Sequence, residues 1–264
     1  MPFFAKLASF HPLEGYLVIN AIFLAFALVL TIATRRFTDF QTRRSHNDIA
    51  GFIFTTVGAI YAVLLAFVTV IVWEQYNSAA ENAAKEATTA LSMYRNLSLY
   101  PDQEQAGRAA QSLLAFMHAV VEDEYPAMAK LKKSQATAQA LDALWVNTKK
   151  LKVQNLQEQA LFSEILKDLN SIAELRAGRL GAATNPRLIG VMKIALIFGA
   201  FITIVFAVLF GAESFWWHII MTSLMALLIG TILFVIAELL YPFTSGIAIQ
   251  PDDYVHVVEM INIK

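Results

Sequence analysis

Between Gly58 and Pro101 the chain has neither glycine nor proline, yet across that interval it turns from apolar to polar. Residues 51–73 (GFIFTTVGAIYAVLLAFVTVIVW) are an unbroken apolar run. Residues 74–99 (EQYNSAAENAAKEATTALSMYRNLSL) follow, rich in Ala, Leu, Glu and Lys, which favour helix. One helix of about 48 residues is predicted, roughly 70 Å long at 1.5 Å per residue. A bilayer has only ~30 Å of hydrocarbon to cross. The same helix is therefore expected to leave the membrane and enter a water-exposed region.

The rest of the sequence sorts around this helix. The 264 residues are 57% hydrophobic with a net charge of -1. That balance gives no general attraction to nucleic acid, and no nucleic-acid partner is expected. There is no cysteine, which excludes disulfides and thiolate metal ligands. Apolar blocks occupy both ends of the chain, and most charged residues lie between Glu74 and Arg187. This is the pattern of an integral membrane protein with an extramembrane insert.

A first membrane helix is predicted over 15–34, uncharged and long enough to span. Only Lys6 precedes it and Arg35-Arg36 follow, so an uncleaved helix is expected rather than a signal peptide. Residues 35–50 form a polar loop with Arg35, Arg36, Arg43 and Arg44, and Asp48 is a candidate cap for the second span at 51–73. The third span is 188–210, with Lys193 snorkelling near one end, and the fourth is 215–240, with Trp216 and Trp217 in an aromatic belt. The tail, 241–264, carries Gly246, Pro251 and Asp252-Asp253, and a brief strand is expected in it.

The insert, 74–187, reads as a helical bundle built on the extended second helix. A helix is predicted over about 102–125 and ended by Pro126, another over 134–152, and a third over 155–180. The last has Leu161, Ile165, Leu169, Ile172 and Leu175 as its apolar stripe. Asn185-Pro186 breaks it. The fold class is an all-α membrane protein, with four transmembrane helices and a helical insert between the second and third. Positive charge is nearly even on the two sides of the membrane. Arginine density points to the 35–50 loop as cytoplasmic.

At 100° per residue, Gly51, Thr55, Gly58, Ala59, Ala62, Ala66 and Thr69 share about a third of the second span. Ile53, Val57, Ile60, Leu64, Phe67 and Ile71 lie opposite, and Phe54, Tyr61 and Leu65 lie between. Such a small-residue stripe lets helices approach closely. Packing is the more common use; the stripe also suits a pore-facing surface in a ring of subunits, with Phe54, Tyr61 or Leu65 as an apolar constriction. Glu238, an acid in the fourth span, is a functional candidate by default; the plainer reading places it in the interface before Pro242. His218 reads as an interfacial polar residue.

No histidines have metal-ligand spacing, and Glu122-Asp123-Glu124 reads as a solvated helix end, so no metal site is expected. Arg176, Arg179 and Arg187 suit either anionic headgroups or pairing with acids such as Glu174. HExxH, Walker, GxGxxG and GxSxG motifs are absent. Neither an enzyme nor a cofactor is expected.

Four stretches carry a resemblance: residues 51–76; Glu86, Ala87, Tyr94 and Arg95; RAGRLGAATNPRLIG at 176–190; and PFTSGIAIQPDDY at 242–254. In these the chain resembles the bestrophin-like family of bacterial membrane proteins, although Leu240 stands where that pattern has an acid before Pro242-Phe243. The resemblance implies a link to bestrophins, homopentameric ion channels whose second transmembrane helix lines the pore. It also implies a bacterial inner-membrane location, and it leans against a cytoplasmic 35–50 loop. Neither Glu122-Asp123-Glu124 nor Asp252-Asp253 matches the bestrophin calcium motif, so no calcium site is carried over. The expected function is passive permeation of small ions along the second helix of a homo-oligomer, a pentamer by resemblance, set in membrane lipid. The alternative is a non-conducting scaffold or sensor whose helical insert binds a partner.

Overall fold

Residues 3–8, 10–185 and 188–262 are described by a computed structural model. Among them there is no strand. The chain forms α1 (Phe3–Ala8), α2 (Pro12–Phe37), α3 (Phe40–Ser45), α4 (Asn47–Ser98), α5 (Gln103–Ala119), a π-helical turn (Val120–Glu124) and α6 (Tyr125–Met128). Then follow α7 (Gln135–Thr148), α8 (Leu156–Thr184), α9 (Gly190–Leu209), α10 (Phe215–Leu240) and α11 (Asp252–Asn262). Of these, α2, α4, α9 and α10 are long and apolar enough to cross a membrane. Helix α4 runs 52 residues without a break, as the lack of Gly and Pro after Gly58 requires.

Contacts divide the chain into two units, and the division falls inside α4. The first comprises Met1–Glu74 and Arg187–Leu240. Here α2 and α10 pack closely because Gly230 carries no side chain. A Cβ there would lie 2.7 Å from Asn20 Oδ1. Along the same seam Thr31 and Thr222 hydroxyls meet at 3.3 Å, and the Tyr16 and Phe234 rings meet edge to face. Helix α9 docks on α2 through Phe201, which touches both Phe23 and Phe26. The arginine loop is more ordered than its polarity suggests. Asp39 caps α3, its carboxylate accepting from Gln41 N–H at 3.0 Å. Asn47, not Asp48, opens α4, and its side-chain amide exchanges two hydrogen bonds with the Gly211 backbone, at 2.9 and 2.8 Å.

The second unit comprises Gln75–Pro186 and Tyr241–Lys264. Its core gathers Met93 and Leu97 of α4, Leu113 and Phe116 of α5, Leu144 of α7, and Ile165, Leu169 and Ile172 of α8. Two sequence expectations fail here. The tail forms no strand: Asp252 and Asp253 sit in the first turn of α11, and Tyr254, Val257, Val258 and Ile261 bury one face of it. Acids at a helix start and apolar spacing of i, i+3, i+4, i+7 outweigh the β-preference of the valines.

Pro126 also ends nothing. Proline cannot donate to the carbonyl four residues back. The chain meets this with the π turn, in which Tyr125 N–H reaches the Val120 carbonyl, and continues as α6. The helix stops later, at Leu131, whose φ of 57° is left-handed. Leu131 N–H bonds Met128 O at 2.8 Å and Lys132 N–H bonds Ala127 O at 2.9 Å, a Schellman ending without its usual glycine. Asn185 caps α8, and Pro186 and Arg187 lie outside the described residues.

Candidate functional site

Within the first unit, α4 turns one edge to α9 and leaves the rest of its circumference open. Tyr61, Leu65, Val68 and Val72 are buried. The Tyr61 hydroxyl donates to the Leu196 carbonyl at 2.9 Å. Gly199 makes this possible: a Cβ there would lie 2.6 Å from the tyrosine ring. Half-buried Phe54 meets Phe210 edge to face at 5.5 Å. All three residues expected to form a constriction thus face helices of their own chain.

The small residues sit differently. Thr55, Ala59, Ala62 and Ala66 are exposed, while Gly51, Gly58 and Thr69 are half-exposed at the border with the α9 contact. A Cβ on Gly58 would meet nothing within 4 Å. Measured from Tyr61 at 100° per residue, the exposed small residues fall at about 100–160° and Phe52, Ile60, Val63 and Phe67 at about 180–260°. The open face of α4 is therefore half small and half bulky. Both threonine hydroxyls bond their own helix, Thr55 to Gly51 O and Thr69 to Leu65 O. Each then keeps lone pairs to offer outward without leaving a donor unsatisfied.

Glu238 is 4% exposed in the last turn of α10, so it is enclosed by protein rather than bathed by interfacial water. His218 is likewise buried rather than interfacial.

The second unit holds a feature that the sequence did not assign, a buried ion network. Arg179 of α8 is 0% exposed. Its Nε donates to Glu86 Oε2 at 2.7 Å, and its Nη2 to Glu86 Oε1 and Glu124 Oε2, both at 2.9 Å. Arg176 grips Glu124 from the other side through Nε at 3.1 Å. Tyr254 of α11 donates to Glu86 Oε1 at 2.8 Å, and the Tyr125 ring lies 5.2 Å from the Arg179 guanidinium. Burial opposes the charge on Arg179, but Glu86 beside it raises its pKa above the ordinary value. Burial pushes the Tyr125 hydroxyl up to about 12 and Tyr254 well above its ordinary value, and Glu86 adds to both.

Two readings of these residues are corrected by this geometry. Glu124 is no solvated helix end, because the π turn carries it into the core while Glu122 and Asp123 stay exposed. Of the two readings of Arg176 and Arg179, pairing with acids holds and the headgroup reading falls, the acids being Glu124 and Glu86 in place of Glu174. Glu86, Arg179 and Tyr254 come from three of the separate stretches that carry the family resemblance. Among the described residues no group of His, Asp and Glu is placed to hold a metal.

The sequence profile of the bestrophin-like domain matches residues 21–254. No curated protein matches the chain in sequence. A solved bacterial bestrophin homologue from Klebsiella pneumoniae is similar in fold, with a TM-score of 0.66 at 13% identity over 92% of this chain and 95% of that one. A singly substituted form of a Klebsiella pneumoniae homologue gives 0.66 at 12% identity, over 93% and 96%. A further solved membrane protein gives 0.67 at 12%, over the same shares of 93% and 96%. These likenesses carry the fold, and the profile match carries the family. The chain belongs to the bestrophin-like family, as a multi-pass all-α membrane protein of channel-like build.

Proposed function

We propose that the chain is one subunit of a homo-oligomeric ring, a pentamer by analogy with bestrophins, that lets small ions pass down the symmetry axis along α4. The observation that supports this reading is the open small-residue half of α4. In a lone subunit Thr55, Ala59, Ala62 and Ala66 have no covering helix, although such a stripe ordinarily seats one. Neighbouring copies that turn this half inward line a path with methyl and hydroxyl groups. The bulky half, with Phe52, Ile60, Val63 and Phe67, then packs against the next subunit or lipid.

The narrow point is placed at the level of Phe54, Tyr61 and Leu65, which act from behind. With Tyr61 anchored on α9, Phe54 on Phe210 and Leu65 buried in its own chain, they fix how far α4 leans toward the axis, and Ala62 and Ala66 are the surface that ions meet. Glu238 is the second polar candidate, read by the effect of Glu238→Gln on current. A bacterial inner membrane is the proposed location.

The scaffold reading needs the apolar stripe of α8 as a partner surface. Ile165, Leu169 and Ile172 are 0% exposed in the core of the second unit, so that face is already covered. Planar-bilayer recording of purified protein tests permeation. Currents above an empty-liposome control, reduced by Ala62→Trp, are the expected result. An ordered symmetric ring that passes no current would remove the proposal.

A further inference from the structure

The corner between α2 and α4 holds a buried cation whose hydrogen bonds are not completed among the described residues. The cap on Asp39 winds α3 so that Arg43 is carried inward, where it is 8% exposed. Its Nε and Nη1 are buried without a hydrogen-bond partner among the described residues, and so is Nε of Arg35. Arg35 is fixed from two other directions. Its Nη2 donates to the Ala212 carbonyl, and its guanidinium lies 5.3 Å from the centre of the Phe215 ring. With Arg36, Phe37, Thr38 and Asp39, these two arginines line a cavity of about 440 Å³.

Electrostatics in this corner run toward an anion. Burial, and after it the charge of Arg35, hold the Arg43 pKa below its ordinary value, with Asp39 working the other way. Asp39, the acid on the cavity wall, has one carboxylate oxygen engaged on the α3 backbone. A buried guanidinium with unmade hydrogen bonds is a costly arrangement that a bound anion would relieve. Four unpaired N–H groups, one on each Nε and two on Arg43 Nη1, lie on two planar forks and suit the separate oxygens of a polyatomic oxyanion better than a halide. The cavity also lies at the C-terminal end of α2, a helix of membrane-spanning length, and the ends of such helices are where a chain meets headgroup phosphates.

We propose that this corner is a phosphate-binding site, in which Arg35 and Arg43 hold the oxyanion of an anionic lipid headgroup or of free inorganic phosphate, with Arg36 at the mouth. The site is separate from the open face of α4 and does not depend on permeation.

The test uses full-length protein in detergent. Native mass spectrometry counts adducts with phosphatidylglycerol and with phosphatidylcholine. The thermal midpoint is followed with inorganic phosphate against chloride at matched ionic strength. Retention of phosphatidylglycerol over phosphatidylcholine assigns a lipid headgroup; a midpoint raised by phosphate alone assigns the free ion. In either case Arg43→Gln is expected to weaken binding roughly tenfold, the scale of one charge-assisted contact. Should Arg43→Gln not fold, the exposed Arg36→Gln decides, with a several-fold loss expected. No preference over the phosphatidylcholine and chloride controls, or unchanged binding in the deciding variant, overturns the proposal.

Discussion

Tyr61 and Gly199 form a pair in which each residue explains the other. The ring needs the space of a missing Cβ, and the hydroxyl needs the Leu196 carbonyl that this close approach brings within 2.9 Å. Gly199→Ala gains about 1 kcal/mol of helix propensity but forces the ring to move, at about 1–3 kcal/mol. A net loss is expected in thermal unfolding, and Tyr61→Leu in the same chain should recover part of it, as contacting residues couple. Arg179 shows the opposite economy, many bonds on one buried charge. Arg179→Leu takes the guanidinium from buried Glu86 and leaves Glu124 with Arg176, and a loss of about 3–5 kcal/mol is expected from denaturant unfolding of the purified protein. The sequence displayed the small stripe on α4 because helical periodicity places neighbours on a face. It hid the ion network because Glu86 and Arg179 stand 93 positions apart. Charged residues in a polar insert look alike until the fold brings two of them together.

At the scale of single elements, helix existence was legible, and so was the end of α8 at Asn185, but not the course of the chain past Pro126. Composition and period located α2, α4, α5, α7, α8, α9 and α10. Pro126 looked like a stop because the sequence does not display the π turn that accommodates it. Leu131 looked like nothing, although it ends α6 at a positive φ. Leu131→Gly removes that backbone cost, and a gain of about 1 kcal/mol is expected in the same unfolding assay. Helix α11 is tied to α4 by Tyr254, and this contact sets a pH limit. The Tyr125 and Tyr254 hydroxyls ionise near 10 when unfolded; in the fold Tyr125 is pushed up to about 12 and Tyr254 well above its ordinary value. Their stability contribution is whole below pH 10 and is lost as pH climbs toward the folded values. The slope is about 1.4 kcal/mol per pH unit for each tyrosine. Alkaline unfolding followed by circular dichroism should become shallower above pH 10 in Tyr125→Phe and in Tyr254→Phe.

For the whole molecule, the open face of α4 makes a claim about assembly that a single chain can test. The protein has no cysteine, so each introduced thiol reports alone. Ala62→Cys should form intersubunit disulfides in native membranes, seen as a dimer band on non-reducing gels. Val68→Cys, buried in its own subunit, should form none. Equal behaviour of the two thiols would count against a ring with the small half inward. The sidedness of that ring is a natural next measurement, and the structure bears on how to make it. Epitopes are usually hung on short loops between spans, where chains tolerate change. Here a single added carbon at Gly211 would sit 2.6 Å from the Arg44 nitrogen, and Asn47 already grasps the same peptide. The bend at Leu99 and Pro101, exposed to solvent, offers the safer place for a reporter.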